Sequence, residues 1–310
     1  MGAPVISVVV PSYRPGTLLE GCVEALLRQE APVPYEVIVV DSSADGTAER
    51  LAARFPACRT IALATRTPQA MARNVGVAAA RGAYVALTDH DCLVPRDWLA
   101  RLLGRHAGGD YAAVGGAVAN GTPRSLVGTA AYWIEFNDFT PGRPSGPVPQ
   151  VPHCNVCFRR DALPTDGPFP ALPPCAEDLT FNHLLTSAGG TIFFDAGIVV
   201  THLNRTRAGA YLSHQYVLGA GSAVARRLVP LPGGLFLRQP LLAPVLPVVR
   251  LAGTLGRIAR RHPARMPLVV ALLPLLLAGY ACWTAGFLHG RRVPLDPALR
   301  GLPGTRGGSG

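Results

Sequence analysis

Three short apolar runs, each stopped by a polar break, constrain this chain more than any other feature. The first is Val5-Ile6-Ser7-Val8-Val9-Val10, ended by Pro11-Ser12-Tyr13. The second is Tyr35-Glu36-Val37-Ile38-Val39-Val40, ended by Asp41. The third is Tyr84-Val85-Ala86-Leu87, ended by Thr88-Asp89-His90-Asp91. Runs of this kind read as buried strands. Between them Leu18, Leu19, Cys22, Ala25, Leu26 and Gln29 recur at three-four spacing, which predicts a helix over 17–29. Ser42 to Thr47 turns the chain into a second helix through Phe55, a weaker strand covers 59–64, and a third helix runs from Pro68 to about Ala80. Strands alternating with helices predict an α/β fold, a mostly parallel sheet covered on both faces. Open sheets of this type bind ligands beyond the carboxyl ends of their strands, and all three polar breaks fall there. Their convergence suits a nucleotide-sized site.

Asp89 and Asp91 are one residue apart at such a strand end. Two carboxylates held close repel each other, and a hard divalent cation carrying phosphate oxygens relieves that repulsion. The plainer alternatives are that Asp89 caps the helix beginning near Pro95, or that both acids are solvated.

Charge divides the chain. Residues 1–200 hold 15 Arg and 18 acids (15 − 18 = −3), whereas residues 201–310 hold 14 Arg and only Asp296 (14 − 1 = +13). A near-neutral domain is therefore followed by a basic segment, which beside long apolar runs fits anionic lipid better than nucleic acid. Mean hydropathy of +0.26 agrees with membrane contact. Seven scattered Cys imply no disulfide framework, and His153-Cys154-x-x-Cys157 lacks a second pair at zinc-finger spacing. Met1-Gly2-Ala3-Pro4 leads straight into a strand, without the pattern of a signal peptide, so the domain is expected in the cytoplasm.

Beyond residue 110 the pattern loosens. Strands are predicted at 112–118, at 155–159 and at 191–201, the last closing on His202. Tyr132 to Phe136 reads as core packing, and residues 140–152, with five Pro and two Gly, form a loop able to order over a ligand. Glu177-Asp178 opens a helix, where acids also complement the dipole. Residues 226–265 are apolar but interrupted by Pro and Arg, suiting an interfacial or re-entrant segment. Pro267 to Leu288 is 22 residues without charge, and at about 1.5 Å per residue it covers a bilayer, so a transmembrane helix is expected over 266–289. Arg flanks both ends, which leaves its orientation open. Residues 290–310 read as a flexible tail and 1–225 as the main domain.

Taken in order, Val8-Val9-Val10-Pro11-Ser12-Tyr13, Val39-Val40-Asp41 through Thr47, Ala72-Arg73-Asn74-Val75-Gly76 with Ala80-Arg81-Gly82, Thr88-Asp89-His90-Asp91 and Glu177-Asp178 resemble the family 2 glycosyltransferases, inverting enzymes of the GT-A fold. The resemblance covers roughly residues 5–205. It implies hexosyl transfer from a nucleotide-diphosphate sugar to a hydroxyl acceptor. Pro11, Ser12 and Tyr13 would wall the base, Asp41 would accept from its ring N–H, and Arg73 would reach the base or diphosphate. Asp89 would contact the ribose side, with His90 between it and Asp91. Asp91, with Asp89, would hold Mg²⁺ or Mn²⁺ against the phosphates, and His202 could bind diphosphate. Asp178 would be the general base and Glu177 its neighbour. Asn155 and Arg159 would lie near the acceptor. Where the family often has a second acid after Asp41, this chain has Ser42. The Gln-x-x-Arg-Trp motif of the processive members is missing around Tyr211 to Gly219, so transfer of single sugars is expected. The membrane segment implies a lipid-linked or surface-glycan acceptor at the cell inner membrane, as in polysaccharide biosynthesis.

Two other readings compete. A membrane-anchored scaffold with a decayed site would have little reason to keep Asp41, Arg73, Asp89, Asp91 and Asp178. A sugar nucleotidyltransferase would carry a glycine-rich phosphate loop where this chain has Pro11 to Gly16. No nucleic-acid reader motif accompanies the basic charge.

Overall fold

A computed structural model describes residues 2–172, 175–295 and 299. Strand β1 (Ile6–Ser12) leads through helix α1 (Leu18–Leu27) to β2 (Tyr35–Asp41), α2 (Thr47–Arg54), β3 (Arg59–Ala62), α3 (Gln69–Ala79) and β4 (Tyr84–Leu87). There follow β5 (Cys92–Leu93), α4 (Trp98–Ala107), β6 (Ala113–Asn120), α5 (Leu126–Phe136), β7 (Gly146–Pro147), β8 (Val156–Arg159), α6 (Glu177–Ser187) and β9 (Ile192–His202). The remainder is helical: α7 (Ala208–Leu228), α8 (Leu235–Arg238), α9 (Leu246–Arg261), α10 (Met266–Ala271) and α11 (Leu273–Gly290).

The strands form one sheet in the order β3-β2-β1-β4-β8-β6-β9-β5, with β7 beside β9. β1, β2, β3 and β4 are parallel; β8 runs antiparallel to both β4 and β6. All seven residues of β1 are buried, which is why the run lacks polar alternation. Each fully buried Val or Ile contributes roughly 1.5–3 kcal/mol. Helix α3 lies close against this core because residue 76 is glycine: a Cβ there would stand 2.3 Å from Val9 Cγ1. That close approach fixes Arg73, one turn earlier, over the end of β4.

The chain divides into two compact units, and the division differs from the expected boundary at residue 225. The first contains 1–119, 144–171 and 185–202; the second contains 120–143, 172–184 and 203–310. The second therefore takes α5, the start of α6 with Glu177-Asp178, and all the C-terminal helices. Within it α7 and α11 pack backbone to backbone through glycines. A Cβ on Gly286 would fall 1.9 Å from Tyr216 O, and one on Gly219 would fall 1.9 Å from Trp283 O.

The transmembrane helix expected over 266–289 is not one helix. It breaks at Leu272 into α10 and α11, and the two arms are bent by 76°. Pro274 has no N–H to give Val270 O, and its ring excludes that carbonyl, so the helix restarts instead of continuing. Among the described residues one unbent helical stretch, Pro240–Arg261, is long and apolar enough to cross a membrane by length and composition, and it lies inside the segment expected to be interfacial; the bent pair passes the same test only when its two arms are taken together. Most of the expected tail, 296–298 and 300–310, lies outside the described residues.

Candidate functional site

In the first unit the ends of β1, β2 and β4 converge as expected. Asp41 closes β2 and is buried; Ser43 holds it, donating from Oγ to Oδ1 at 2.8 Å and from N to Oδ2 at 3.2 Å. Ser43 Oγ also accepts the N–H of Arg14, a residue at φ 44°, so the loops after β1 and β2 are tied together. Pro11 lies inside β1 and is buried. Ser12 Oγ is buried with no hydrogen-bond partner among the described residues. An orphaned hydroxyl beside a carboxylate suits a ligand carrying both donors and acceptors. Two guanidinium groups lie over the Tyr13 ring, Arg14 at 5.5 Å and Arg66 at 5.0 Å from the centroid. Arg66 was not picked out by sequence; it sits in a loop without a distinguishing motif.

At the end of β4 the two acids take different partners. Asp89 Oδ1 accepts from Arg73 Nη2 at 2.7 Å and from Gln69 Nε2 at 2.8 Å, both on α3. Arg73 is buried and its guanidinium pairs with Asp89, which α3 therefore holds from one side. Asp91 instead meets His202, whose Nε2 lies 3.5 Å from Asp91 Oδ1. The pairing of β5 with β9 sets Cys92 opposite His202, and one ligand atom from each of Asp91, Cys92 and His202 lies within 4.8 Å of the others. Burial, the neighbouring Cys154 and the two aspartates hold the Cys92 thiol well above its ordinary pKa, so it stands there as a neutral group. His90 is half-buried beside them. Sequence spacing could not bring His202 to Asp91, because 111 residues separate them along the chain.

A carboxylate beside an imidazole fits Mn²⁺ well. It fits Mg²⁺ less well, since that ion prefers oxygen throughout.

The second unit carries Glu177 and Asp178 in the first turn of α6. The preceding Ala176 takes φ 88°, a left-handed conformation that a side chain disfavours and that turns the chain sharply into the helix. Glu135 of α5 joins this neighbourhood. It accepts from Gln215 Nε2 at 2.8 Å and faces His214 Nε2 at 3.5 Å. Burial first, and then the carboxylates of Glu177, Asp178 and Glu135, raise the Cys175 thiol well above its ordinary pKa, so the three acids share one field. No motif in the sequence announces Glu135.

Asn155 and Arg159, expected near an acceptor, are held by partners within the first unit. Asn155 is fully buried, its Oδ1 accepting from Trp98 Nε1 at 2.9 Å and its Nδ2 donating to Ala117 O and Ile198 O. Every polar atom of its side chain is used inside the core. Arg159 pairs across the sheet with Tyr84, the start of β4, so it lies at the far end of the strand from Asp89 and is held by Asp110 and Asp161.

The sequence and the fold are similar to those of known glycosyltransferases. The profile described as Glycosyl transferase family 2 matches residues 7–165. Glycosyltransferase AglE of Haloferax volcanii is 29% identical over 226 residues, 70% of this chain and 73% of that protein. The succinoglycan biosynthesis protein ExoO of Rhizobium meliloti is 34% identical over 160 residues, 51% of this chain but only 44% of its own length. Among solved structures, the mannosyltransferase PcManGT of Pyrobaculum calidifontis, in complex with GDP-Man and Mn²⁺, superposes with a TM-score of 0.59 at 23% identity, covering 94% of this chain and 86% of that one. S. aureus TarS in complex with UDP-GlcNAc gives 0.51 at 16% identity, covering 97% and 99%. The sheet is thus that of the GT-A glycosyltransferases, and the chain belongs to glycosyl transferase family 2.

Proposed function

We propose that the enzyme moves a single sugar from a nucleotide-diphosphate sugar to an acceptor hydroxyl, inverting the anomeric centre in one displacement. The observation that carries this reading is the meeting of Asp91 and His202 beyond the sheet edge that also holds Asp41 and Ser12. Asp41 and the orphaned Ser12 hydroxyl offer an acceptor and a donor to the base, against the ring of Tyr13. Asp91 and His202 would hold Mn²⁺ or Mg²⁺. Such a cation, when bound, neutralises charge on the departing nucleoside diphosphate. Asp89, fixed by Arg73 and Gln69, is presented in one orientation and is suited to a ribose hydroxyl. Asp178 takes the proton from the attacking hydroxyl, and Glu177 orients it. The solved neighbours carry GDP-Man and UDP-GlcNAc, which supports a nucleotide-sugar donor. The names of relatives in succinoglycan and teichuronic acid biosynthesis support a glycan or lipid-linked acceptor handled at the inner membrane, with the catalytic residues on the cytoplasmic side.

Thermal melting of the full chain with UDP-, GDP-, dTDP- and CMP-sugars, with and without Mn²⁺, tests the reading. Stabilisation grows as RT ln(1 + [L]/Kd), so one donor with metal should raise Tm well above the rest. The variant Asp178→Asn should keep that shift while losing about 10²–10⁴-fold in transfer, the contribution typical of a general base. An equal response to every donor, or undiminished transfer by Asp178→Asn, would overturn it in favour of a non-catalytic scaffold.

A further inference from the structure

Within the second unit one face is apolar and uncovered. Leu241 is 91% exposed, Val248 62%, Val249 51% and Val245 50%. These residues recur at helical spacing on the stretch Pro240–Arg261. Its opposite face, Leu246, Thr254 and Ile258, is buried, with Thr254 Oγ1 hydrogen-bonded to Tyr280 Oη at 2.6 Å. Val270 and Leu277, on the two arms of the bent pair, extend the exposed apolar surface of the unit. Isolated exposed apolar residues are ordinary, but a continuous ridge of them is not.

The charges beside the ridge say what covers it. Arg238 is exposed ahead of it, and Arg260 and Arg265 are exposed past its end. Residues 203–295 contain no Asp or Glu at all. An apolar face with cations at both ends is the pattern of a helix lying in the headgroup region of an anionic bilayer.

Length and composition alone would also permit Pro240–Arg261 to cross the membrane. Arg250 argues against that. It falls in the middle of the stretch, stacked 3.8 Å over the Trp283 ring and 5.3 Å from that of Tyr280. A crossing helix would carry this guanidinium to the bilayer centre, where an Arg is costly. The C-terminal end of the stretch is also fastened within the unit, Arg261 to Asp138 at 3.1 Å and His262 to Thr140 at 2.8 Å. The bent α10–α11 pair offers no straight alternative.

We propose that the second unit is monotopic: the Leu241–Val249 ridge lies in one leaflet of an anionic membrane, and neither apolar stretch crosses it. This goes beyond the transfer chemistry and does not depend on it.

Flotation of the full chain with phosphatidylcholine vesicles, with and without phosphatidylglycerol, tests the proposal. Binding should need the anionic lipid, weaken with salt, and be released by alkaline carbonate. The variant Val245→Asp/Val248→Asp, whose changes are exposed and should leave Tm and the donor-induced shift unaltered, should bind at least about tenfold more weakly. The variant Arg260→Glu/Arg265→Glu should lose the preference for anionic lipid. Resistance to carbonate, with residues on both sides of the bilayer reached by membrane-impermeant reagents, would establish a span and overturn the proposal. So would equal binding by the Asp variant, or a dimer in solution that the Asp variant dissociates, which would assign the ridge to a second copy.

Discussion

The Arg73 guanidinium sits 2.7 Å from the Asp89 carboxylate, with 3% of the one side chain and 20% of the other exposed. This pair, not an Asp89–Asp91 pair, organises the end of β4. It explains why two acids one residue apart point to different partners: α3 takes one, and β9 brings His202 to the other.

Breaking that pair should therefore act first on stability. Arg73→Gln leaves Asp89 with Gln69 as its α3 partner and should cost about 3 kcal/mol, the scale for removing one member of a buried ion pair. Urea unfolding measures the loss. Adding Asp89→Asn should recover part of it, giving a coupling of about 1–3 kcal/mol in the double-mutant cycle.

Metal affinity should follow the observed partners instead of the linear motif. Asp91→Asn and His202→Ala should each weaken Mn²⁺ binding at least about tenfold, or roughly 1.4 kcal/mol, by titration calorimetry. Asp89→Asn should weaken it less, since Arg73 and Gln69 already hold that carboxylate.

Asn155 should behave as a core residue. Asn155→Ala strands Trp98 Nε1, Ala117 O and Ile198 O, each a buried polar group whose loss of partner costs about 1–3 kcal/mol. A fall in Tm with little change in acceptor KM is the expected result, and a large KM effect at unchanged Tm would reverse this assignment.

The α7–α11 contact should tolerate no side chain at Gly286. A methyl group there would meet Tyr216 O at 1.9 Å, so Gly286→Ala should cost more than about 2 kcal/mol despite raising helix propensity. Thermal unfolding decides, and a stabilised variant would mean that the two helices do not pack as described.

Local patterns determined the first half of the fold. β1, β2 and β4 are buried on both faces, so their apolar runs are continuous and legible, and the polar residues that stop them mark the sheet edge. Asp41 and Asp91 were readable for that reason. The rest depends on contacts between distant segments: His202 against Asp91, Arg73 on Asp89, Asn155 drawn into the core, and Glu135 against Gln215 and His214. None of these has a local signal, because strand pairing and helix packing set them. The C-terminal helices show the same limit from the other side. Counting uncharged residues gave the length of 267–288, but Pro274 set the break at Leu272, and the packing of α9 on α11 determined which apolar face stays uncovered.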